Sequence, residues 1–226
     1  QGKIPIWGSN QTVSTTTAAL ANGISAHVLD FDDTHTDSIT HGSAVLTPIA
    51  FALGEHLQAT TKEILTAWII GWEVAARVGL ASHSGFHLRG FHSTAIAGIF
   101  GATACAASLL KLTREQTVNA LGLTGSQASG VAEYLTNSSS AKCFHAGWAA
   151  QSGIIATCLA KGGMTGPETI FEGRYSLYQT HGLREKAHPE QVAQDLGNVW
   201  QFMNVSIKPY PVCHFAHATV DCGRRL

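Results

Sequence analysis

The sequence has few charged residues of either sign. Only 13% of its 226 residues are Asp, Glu, Lys or Arg, against about 25% in an ordinary soluble domain. The 14 basic and 15 acidic residues leave a net charge of -1, so no overall field would attract a nucleic acid or a membrane surface. We therefore expect neither kind of partner, and an anionic ligand would have to be bound by local groups.

Cysteine pairs and long apolar runs are also missing. The five cysteines form no CxxC motif, and their odd number favours a reducing compartment, the cytoplasm. The apolar stretch 64–70 is interrupted by Gly71 and Glu73, well short of the ~20 residues that a membrane span needs. Because the chain begins with Gln1 and ends just after a helix-like segment at 217–222, we interpret it as a fragment whose targeting segment, if any, lies outside it.

Complete metal-binding and nucleotide-binding motifs are not present in the sequence. His83 and His87 have the spacing of a zinc pair but lack the Glu of H-E-x-x-H, and His214 and His217 have no obvious third ligand. We interpret both pairs as structural or pocket-lining. Phosphate-loop and dinucleotide-binding patterns do not occur.

Apolar periodicity and small residues are abundant instead. Apolar side chains recur three and four residues apart, which predicts helices at residues 15–29, 44–57, 61–82, 93–110, 113–128 and 146–161. A Thr-x-x-Gln capping box at Thr113 supports one of these starts. The predicted fold is mainly α, and its Ala-rich and Gly-rich helices indicate close packing and a subunit interface.

The pattern changes toward the C-terminal end. Residues 122–140 are rich in Gly, Ser, Thr and Asn and predict a loop over a site or an interface, and residues 189–198 predict a short helix. The aromatic and β-branched segment 199–207 predicts a strand that leaves the helical bundle. We therefore predict a large all-helical domain over residues 1–205 and the truncated beginning of a smaller α/β domain over residues 206–226.

The densest polar cluster is the segment 30–37, which reads D-F-D-D-T-H-T-D. Its simplest interpretation is a hydrated loop with Asx turns. Four carboxylates in eight residues could also bind Mg²⁺, as the aspartate-rich motif of isoprenoid synthases does on an all-helical fold. That alternative lacks a second acidic motif and enough basic residues to hold a diphosphate.

Three histidines precede predicted helices: His41, His92 and His145. Helix N-termini carry unpaired N–H groups and partial positive charge, so they attract carboxylates. Three such ends that converge would suit a di- or tricarboxylate. Each histidine alone also has the simpler interpretation of a buried structural residue.

Several motifs resemble the MmgE/PrpD family in order and spacing, and together they cover nearly the whole chain. They are A-H-V-L-D-F-D-D-T-H from Ala26, H-G-S-A from His41, G-F-H-S-T from Gly90, A-K-C-F-H-A-G from Ala141, T-G-P from Thr165 and K-P-Y-P-V-C-H from Lys208. Members of the family include 2-methylcitrate dehydratase, cis-aconitate decarboxylase and iminodisuccinate epimerase.

The resemblance implies a metal-independent and cofactor-independent enzyme, a lyase or isomerase, which removes a proton beside a carboxylate of a small di- or tricarboxylic acid. It also implies a homodimer and a smaller α/β domain that begins near Lys208. The D-F-D-D-T form resembles the decarboxylase and epimerase branch. The alternatives are a 2-methylcitrate dehydratase and a non-catalytic binding protein of the same fold.

Six positions match the decarboxylase pocket residue by residue, and we predict that they share one anionic pocket: Asp30, Thr34, His41, His92, Lys142 and Lys208. We assign catalysis to His92, Lys142, His41 and Asp30, and substrate binding to Thr34, Lys208 and His145. No residue is assigned to a metal. The sequence departs from the family at residues 41–43, where H-G-S replaces the usual H-P-S. The interval from Thr34 to His41 is also one residue longer than in the decarboxylase.

Overall fold

A computed structural model describes residues 3–137 and 139–226, and the prediction of a mainly α fold is confirmed. The helices are α1 (Thr15–His27), α2 (Gly42–Leu57), α3 (Thr61–Leu80), α4 (Gly85–Leu88), α5 (Ser93–Leu109), α6 (Arg114–Gly125), α7 (Tyr134–Asn137), α8 (Ala141–Lys161), α9 (Leu177–His181) and α10 (His217–Arg225). The strands are short: β1 (Ile4–Pro5), β2 (Thr12–Val13), β3 (Asp33–His35) and β4 (Val205–Ile207).

Helix α5 lies at the centre of the bundle and is buried along almost its whole length. It packs against α2, α3 and α8, while α1 packs against α2 and α8. Small residues permit these close approaches: a Cβ on Gly101 would lie 2.6 Å from the carbonyl oxygen of Gly71 in α3. The apolar core therefore holds the ends of α1, α2, α5 and α8 in fixed relative positions.

Side-chain caps explain several helix starts. At α3, Thr60 and Glu63 form a reciprocal capping box, and Thr113 and Gln116 form the second box, at the start of α6. The predicted start of α8 at residue 146 was wrong, because the helix begins at Ala141. Residues 141–145 contain neither Gly nor Pro and continue the helix by one and a half turns, so Lys142 and His145 lie inside α8 rather than before it.

The predictions between α6 and α8 and before β4 also need correction. The predicted loop 122–140 contains the last turn of α6 and the short helix α7; Ser138 lies outside the described residues. The helix predicted over 189–198 is only a 3₁₀ turn at Pro189–Val192. The strand predicted over 199–207 is a 3₁₀ turn, Gln201–Asn204, followed by β4.

Strand β4 does not leave the helical bundle as predicted. It pairs antiparallel with β3, with Asp33 opposite Ile207 and His35 opposite Val205. Arg77 and Glu73 of α3 explain this course, because they hold the backbone of residues 194–202 against the bundle through hydrogen bonds. The division of the chain at residue 206 would fall inside β4 and stays a prediction.

Two further features concern the surroundings of the fold. All five cysteines lie among the described residues, and none forms a disulfide. Within residues 3–137 and 139–226, no helix has both the length and the apolar character that crossing a membrane demands.

Candidate active site

The turn after α1 points its aspartates in different directions. Asp30 adopts a left-handed backbone conformation with φ 50°, which Asp tolerates better than most residues, and the chain then reverses into β3. Asp33 accepts a hydrogen bond from the backbone N–H of Ser43 at 3.1 Å and another from its hydroxyl, so it faces the start of α2. Asp30 and Asp32 face the opposite way, toward two lysines.

Lys208 and Lys142 converge on Asp30 from different parts of the chain. The Lys208 ammonium donates to Asp30 Oδ1 at 2.7 Å and to Asp32 Oδ1 at 3.0 Å, and the Lys142 ammonium lies 2.8 Å from Asp30 Oδ2. The Lys208 side chain is 1% exposed and that of Lys142 20%. Burial alone would raise the pKa of Asp30, but the hydrogen bonds and charges of the two lysines lower it.

The same place offers a group of potential metal ligands. Ligand atoms of His27, Asp30 and Asp32 lie within 4.8 Å of one another, the one such group among the described residues. The Lys208 ammonium already bridges the two carboxylates, and it supplies the positive charge that a cation would bring. Asp33 is turned toward α2 and Asp37 is exposed, so the segment does not present the converging oxygens that Mg²⁺ requires.

Four imidazole rings form a cluster beside the lysines. The ring centroids of His27, His41 and His92 lie 5.4 to 6.3 Å apart, and that of His145 lies 5.4 Å from His92. Each ring comes from a different element: the last residue of α1, the residues before α2 and α5, and the second turn of α8. The helical core therefore assembles a cluster that no local segment could form.

Burial keeps two of these rings neutral near pH 7. It lowers the pKa of His41 to about 4, although the charge of Asp32 opposes the shift. Burial, with the charges of His27 and His41 and weaker contributions from His145 and Lys142, holds the pKa of His92 well below its usual value. Neutral imidazoles can both give and take a proton, as general acid–base chemistry requires.

The tautomer of His41 follows from its partners. Its Nδ1 lies 2.9 Å from the carbonyl oxygen of Asp33, which can only accept, so Nδ1 carries the proton. The Thr34 hydroxyl lies 3.1 Å from the same nitrogen and helps to orient the ring. The Nε2 atom of the neutral His41 ring is therefore free to accept a proton.

The cluster is nearly closed on the side of the C-terminal segment. A cavity of about 40 Å³ beside Thr34 and His41 is lined also by His214 and Phe215. It adjoins, through Thr36, Ile39 and Phe215, an open groove of about 810 Å³. A cavity of this volume has room for ordered water.

Residues 1–190 match the MmgE/PrpD N-terminal domain. The chain belongs to the MmgE/PrpD family. Relatives of this MmgE/PrpD chain include the cis-aconitate decarboxylase-like protein oryM of Aspergillus oryzae, 28% identical over 239 residues, which cover 100% of this chain and 49% of that protein.

Two further relatives are named as cis-aconitate decarboxylases. The Aspergillus terreus protein is 27% identical over 236 residues, with 100% of this chain and 48% of the relative covered. The Mus musculus protein is 29% identical over 229 residues, with 96% of this chain and 45% of the relative covered. The chain thus spans about half the length of the curated relatives it matches.

The structure brings the six predicted pocket residues of the MmgE/PrpD chain into one region. Asp30, Lys142 and Lys208 are in direct contact, and Thr34 contacts His41. His92 reaches them through the rings of His27 and His41, and His145 joins through His92. Their roles in binding and catalysis stay predictions.

Three residues at the candidate site were not among the predicted site residues: His27, Asp32 and Tyr134. Asp32 hydrogen-bonds Nδ1 of His27, and the Tyr134 ring lies 5.7 Å from that of His92. His27 could have been found from its place at the polar end of a predicted helix, three residues before Asp30. Tyr134 carried no signal beyond being an aromatic residue in a segment rich in Gly and Ser.

Proposed function

We propose that the intact protein is a metal-independent decarboxylase that acts on cis-aconitate or a close tricarboxylate analogue. One observation carries the proposal: two ammonium groups, from Lys142 and Lys208, meet on a carboxylate at the edge of the imidazole cluster, in which burial lowers the pKa of His41 and His92. The names of the relatives support the choice of substrate class. Positive charge beside proton carriers is what a reaction through a carboxylate-stabilised carbanion needs.

The two lysines have different parts in this proposal. Lys142, which is partly exposed, exchanges Asp30 for a carboxylate of the substrate. Lys208 is bonded to both Asp30 and Asp32 and stays in place, so it supplies a fixed positive charge. A preorganised charge stabilises a developing anion without reorganising at the moment of reaction.

The proposed decarboxylation releases CO₂ and consumes one proton. The bond between the carbon skeleton and one carboxylate breaks and CO₂ leaves. The electron pair left behind is delocalised onto a neighbouring carboxylate, which the lysine ammonium stabilises. The skeleton then takes one proton from an imidazole N–H, and the imidazole regains a proton from solvent. Before the substrate binds, the ion pair with Asp30 holds Lys142 in position, and Thr34 orients His41 through its hydroxyl contact with Nδ1.

An assay in D₂O tests this function directly. The full-length protein is incubated with cis-aconitate, citrate, 2-methylcitrate or iminodisuccinate, and products are followed by NMR. We expect cis-aconitate to release CO₂ and to give a product with one deuterium on carbon. Lys142→Met should abolish turnover. Lys161→Met should leave it unchanged, because among the described residues this exposed lysine hydrogen-bonds only the carbonyl of Leu110.

Other outcomes would replace the proposal with a specific alternative. Deuterium exchange in iminodisuccinate without net product would indicate an epimerase, and alkene formation from 2-methylcitrate a dehydratase. Binding of these acids without any turnover would indicate a non-catalytic protein of the same fold. Activity that is lost in EDTA and restored by Mg²⁺ would favour the aspartate-rich metal alternative.

We also propose that the enzyme is a cytoplasmic homodimer. The five unpaired cysteines suit a reducing compartment, and the low charge content suits a large subunit contact. Analytical ultracentrifugation of the full-length protein should give a dimer over a range of dilutions. A monomer at every concentration would contradict the assembly.

A further inference from the structure

His92 and His145 share a hydrogen bond that the proposed chemistry leaves unassigned. Their Nδ1 atoms lie 3.2 Å apart, and both residues are buried. Two nitrogens at this distance hold one proton between them, which belongs to one ring and is accepted by the other. Because a neutral imidazole has one N–H, the position of this proton decides what the opposite nitrogen, Nε2 of His92, can do.

The Nε2 atom of His92, like those of His27 and His35, is buried and has no hydrogen-bond partner among the described residues. A buried polar atom without a partner is costly unless a ligand satisfies it. If Nε2 carried a lone pair it would repel an incoming carboxylate, whereas an N–H would bind that carboxylate or deliver its proton.

We propose that His145 is a positioning residue that donates its Nδ1–H to Nδ1 of His92 and thereby keeps the proton of His92 on Nε2. This inference rests on the proposed function, because the anionic substrate is what favours an N–H at that atom. His92 is then the proton donor of the site. His41, whose proton is on Nδ1, presents a free Nε2, so it can accept a hydrogen bond at that atom but cannot donate from it. Two chemically identical rings thus receive opposite roles from their hydrogen-bond partners.

The location of His145 suits this part. Its ring lies in the second turn of α8, and its Nε2, unlike that of His92, is not among the fully buried atoms without a partner, so it can accept a proton from solvent after turnover. When His92 gives its Nε2 proton to the substrate, the Nδ1 proton of His145 moves to His92. The Nε2 of His145 takes up a proton from water, so no ring is left negatively charged. Once the product has left, Nε2 of His92 takes a proton from water, its Nδ1 proton returns to His145, and His145 releases its Nε2 proton to solvent. One proton therefore enters in total for each one delivered, and the starting tautomers are restored.

The groups that face His92 come from every neighbouring element. They are His27 of α1, His41 before α2, Tyr134 of α7, and Lys142 with His145 of α8. The cationic and ionisable members disfavour a second proton on His92. The site therefore controls which nitrogen of His92 carries its single proton, and His145 is the one group hydrogen-bonded to that ring among the described residues.

Nitrogen-15 NMR of the full-length protein, labelled at histidine, tests the tautomer without any substrate. In the wild type the Nδ1 of His92 should show the shift of an unprotonated nitrogen and its Nε2 that of an N–H. His145→Phe keeps an aromatic ring but removes the donor, and should mix the tautomers and lower kcat by about 10²-fold, the lower end of a general acid's contribution. His145→Asn restores an N–H donor near the Nδ1 position and should recover the wild-type tautomer.

Matched substitutions and a fold check complete the experiment. His87 is exposed, and His87→Phe and His87→Asn should change neither the His92 signals nor kcat. Circular dichroism should show that the variants at residue 145 stay folded. A protonated Nδ1 on wild-type His92, or a His145→Phe variant with unchanged His92 signals, would overturn the inference. The NMR result does not require turnover, so its failure is distinct from the failure of the decarboxylase proposal in the substrate assay.

Discussion

Lys208 and Asp30 are 178 residues apart in sequence, yet the lysine ammonium lies 2.7 Å from the aspartate Oδ1. The pairing of β4 with β3 brings them together. Ile207, the last residue of β4, lies opposite Asp33, so the residue that follows it, Lys208, lies beside the turn that contains Asp30. A short two-stranded ladder therefore completes a charge cluster that the helical bundle alone would leave open.

The two lysines should differ in their effect on stability. Lys208→Met leaves two carboxylates without their buried partner and should reduce the free energy of unfolding by about 3–5 kcal/mol. Lys142→Met should cost no more than about 1 kcal/mol, because Lys142 is partly exposed and Asp30 keeps Lys208. Urea unfolding of the full-length variants measures both values. Equal losses would show that the burial of Lys208 has no energetic consequence.

Asp32 and Asp33 should respond to pH in opposite directions. Burial would raise the pKa of Asp32, but the hydrogen bond and charge of His27, with the charges of His41 and Lys208, lower it below its usual 3.8. Its stabilisation is therefore present above pH 3.8 and is lost as the pH falls. Burial raises the pKa of Asp33 to about 6, so its stabilisation is full below 3.8 and is lost as the pH rises through 6.

The matched variants Asp32→Asn and Asp33→Asn test this difference. Asp32→Asn should destabilise the protein at pH 7, with a cost that shrinks below about pH 4 as the wild-type carboxylate becomes protonated. Asp33→Asn should gain stability relative to wild type as the pH rises from 4 to 7. Thermal melts at several pH values report both trends, and parallel curves for the two variants would refute the assignment.

The buried pair Glu73 and Arg77 should control the segment before β4. The Arg77 guanidinium donates to the carbonyls of Gln194 and Val199 at 2.5 and 2.6 Å, and Glu73 accepts from the N–H of Phe202 at 2.7 Å. Arg77→Leu should increase hydrogen exchange over residues 194–205 and raise KM, because β4 and Lys208 lose their support. Lys111→Met, which removes the exposed ion pair with Glu63, should change neither. Unchanged exchange in Arg77→Leu would exclude this support.

Gly147 should be required for the contact between α1 and α8. A Cβ at this position would lie 2.2 Å from the carbonyl oxygen of Leu20, a backbone atom that cannot move aside. Gly147→Ala should therefore lower the free energy of unfolding by at least about 1–3 kcal/mol, the range that is typical of overpacking. Urea unfolding measures this loss. Gly223→Ala in α10 is the control, since nothing lies within 4 Å of its added Cβ, and its stability should not fall. A stable Gly147→Ala variant would mean that the two helices can separate without loss.

Local signals in the sequence were enough for the helices and for some of their ends. The Thr113 capping box predicts the start of α6, because both of its hydrogen bonds join residues three apart. Such signals failed at α8, where nothing in residues 141–145 marks a cap and the helix simply starts earlier. They failed again at 199–207. The segment has β propensity, but its partner strand is distant in sequence: His35 and Val205, which pair, are about 170 residues apart, so no local signal shows where the strand pairs.

The sequence by itself determined the helical class, the family and seven candidate site residues, because periodicity and motif order are properties of the chain. It did not identify His27, Asp32 or Tyr134 as members of the site. Only the tertiary structure decided which of these residues touch. It paired Asp32 with His27 and turned Asp33 away toward α2. It also placed His145 against Nδ1 of His92. Such contacts depend on how whole helices pack, and a rotation or shift of one helix would separate them without changing any local signal.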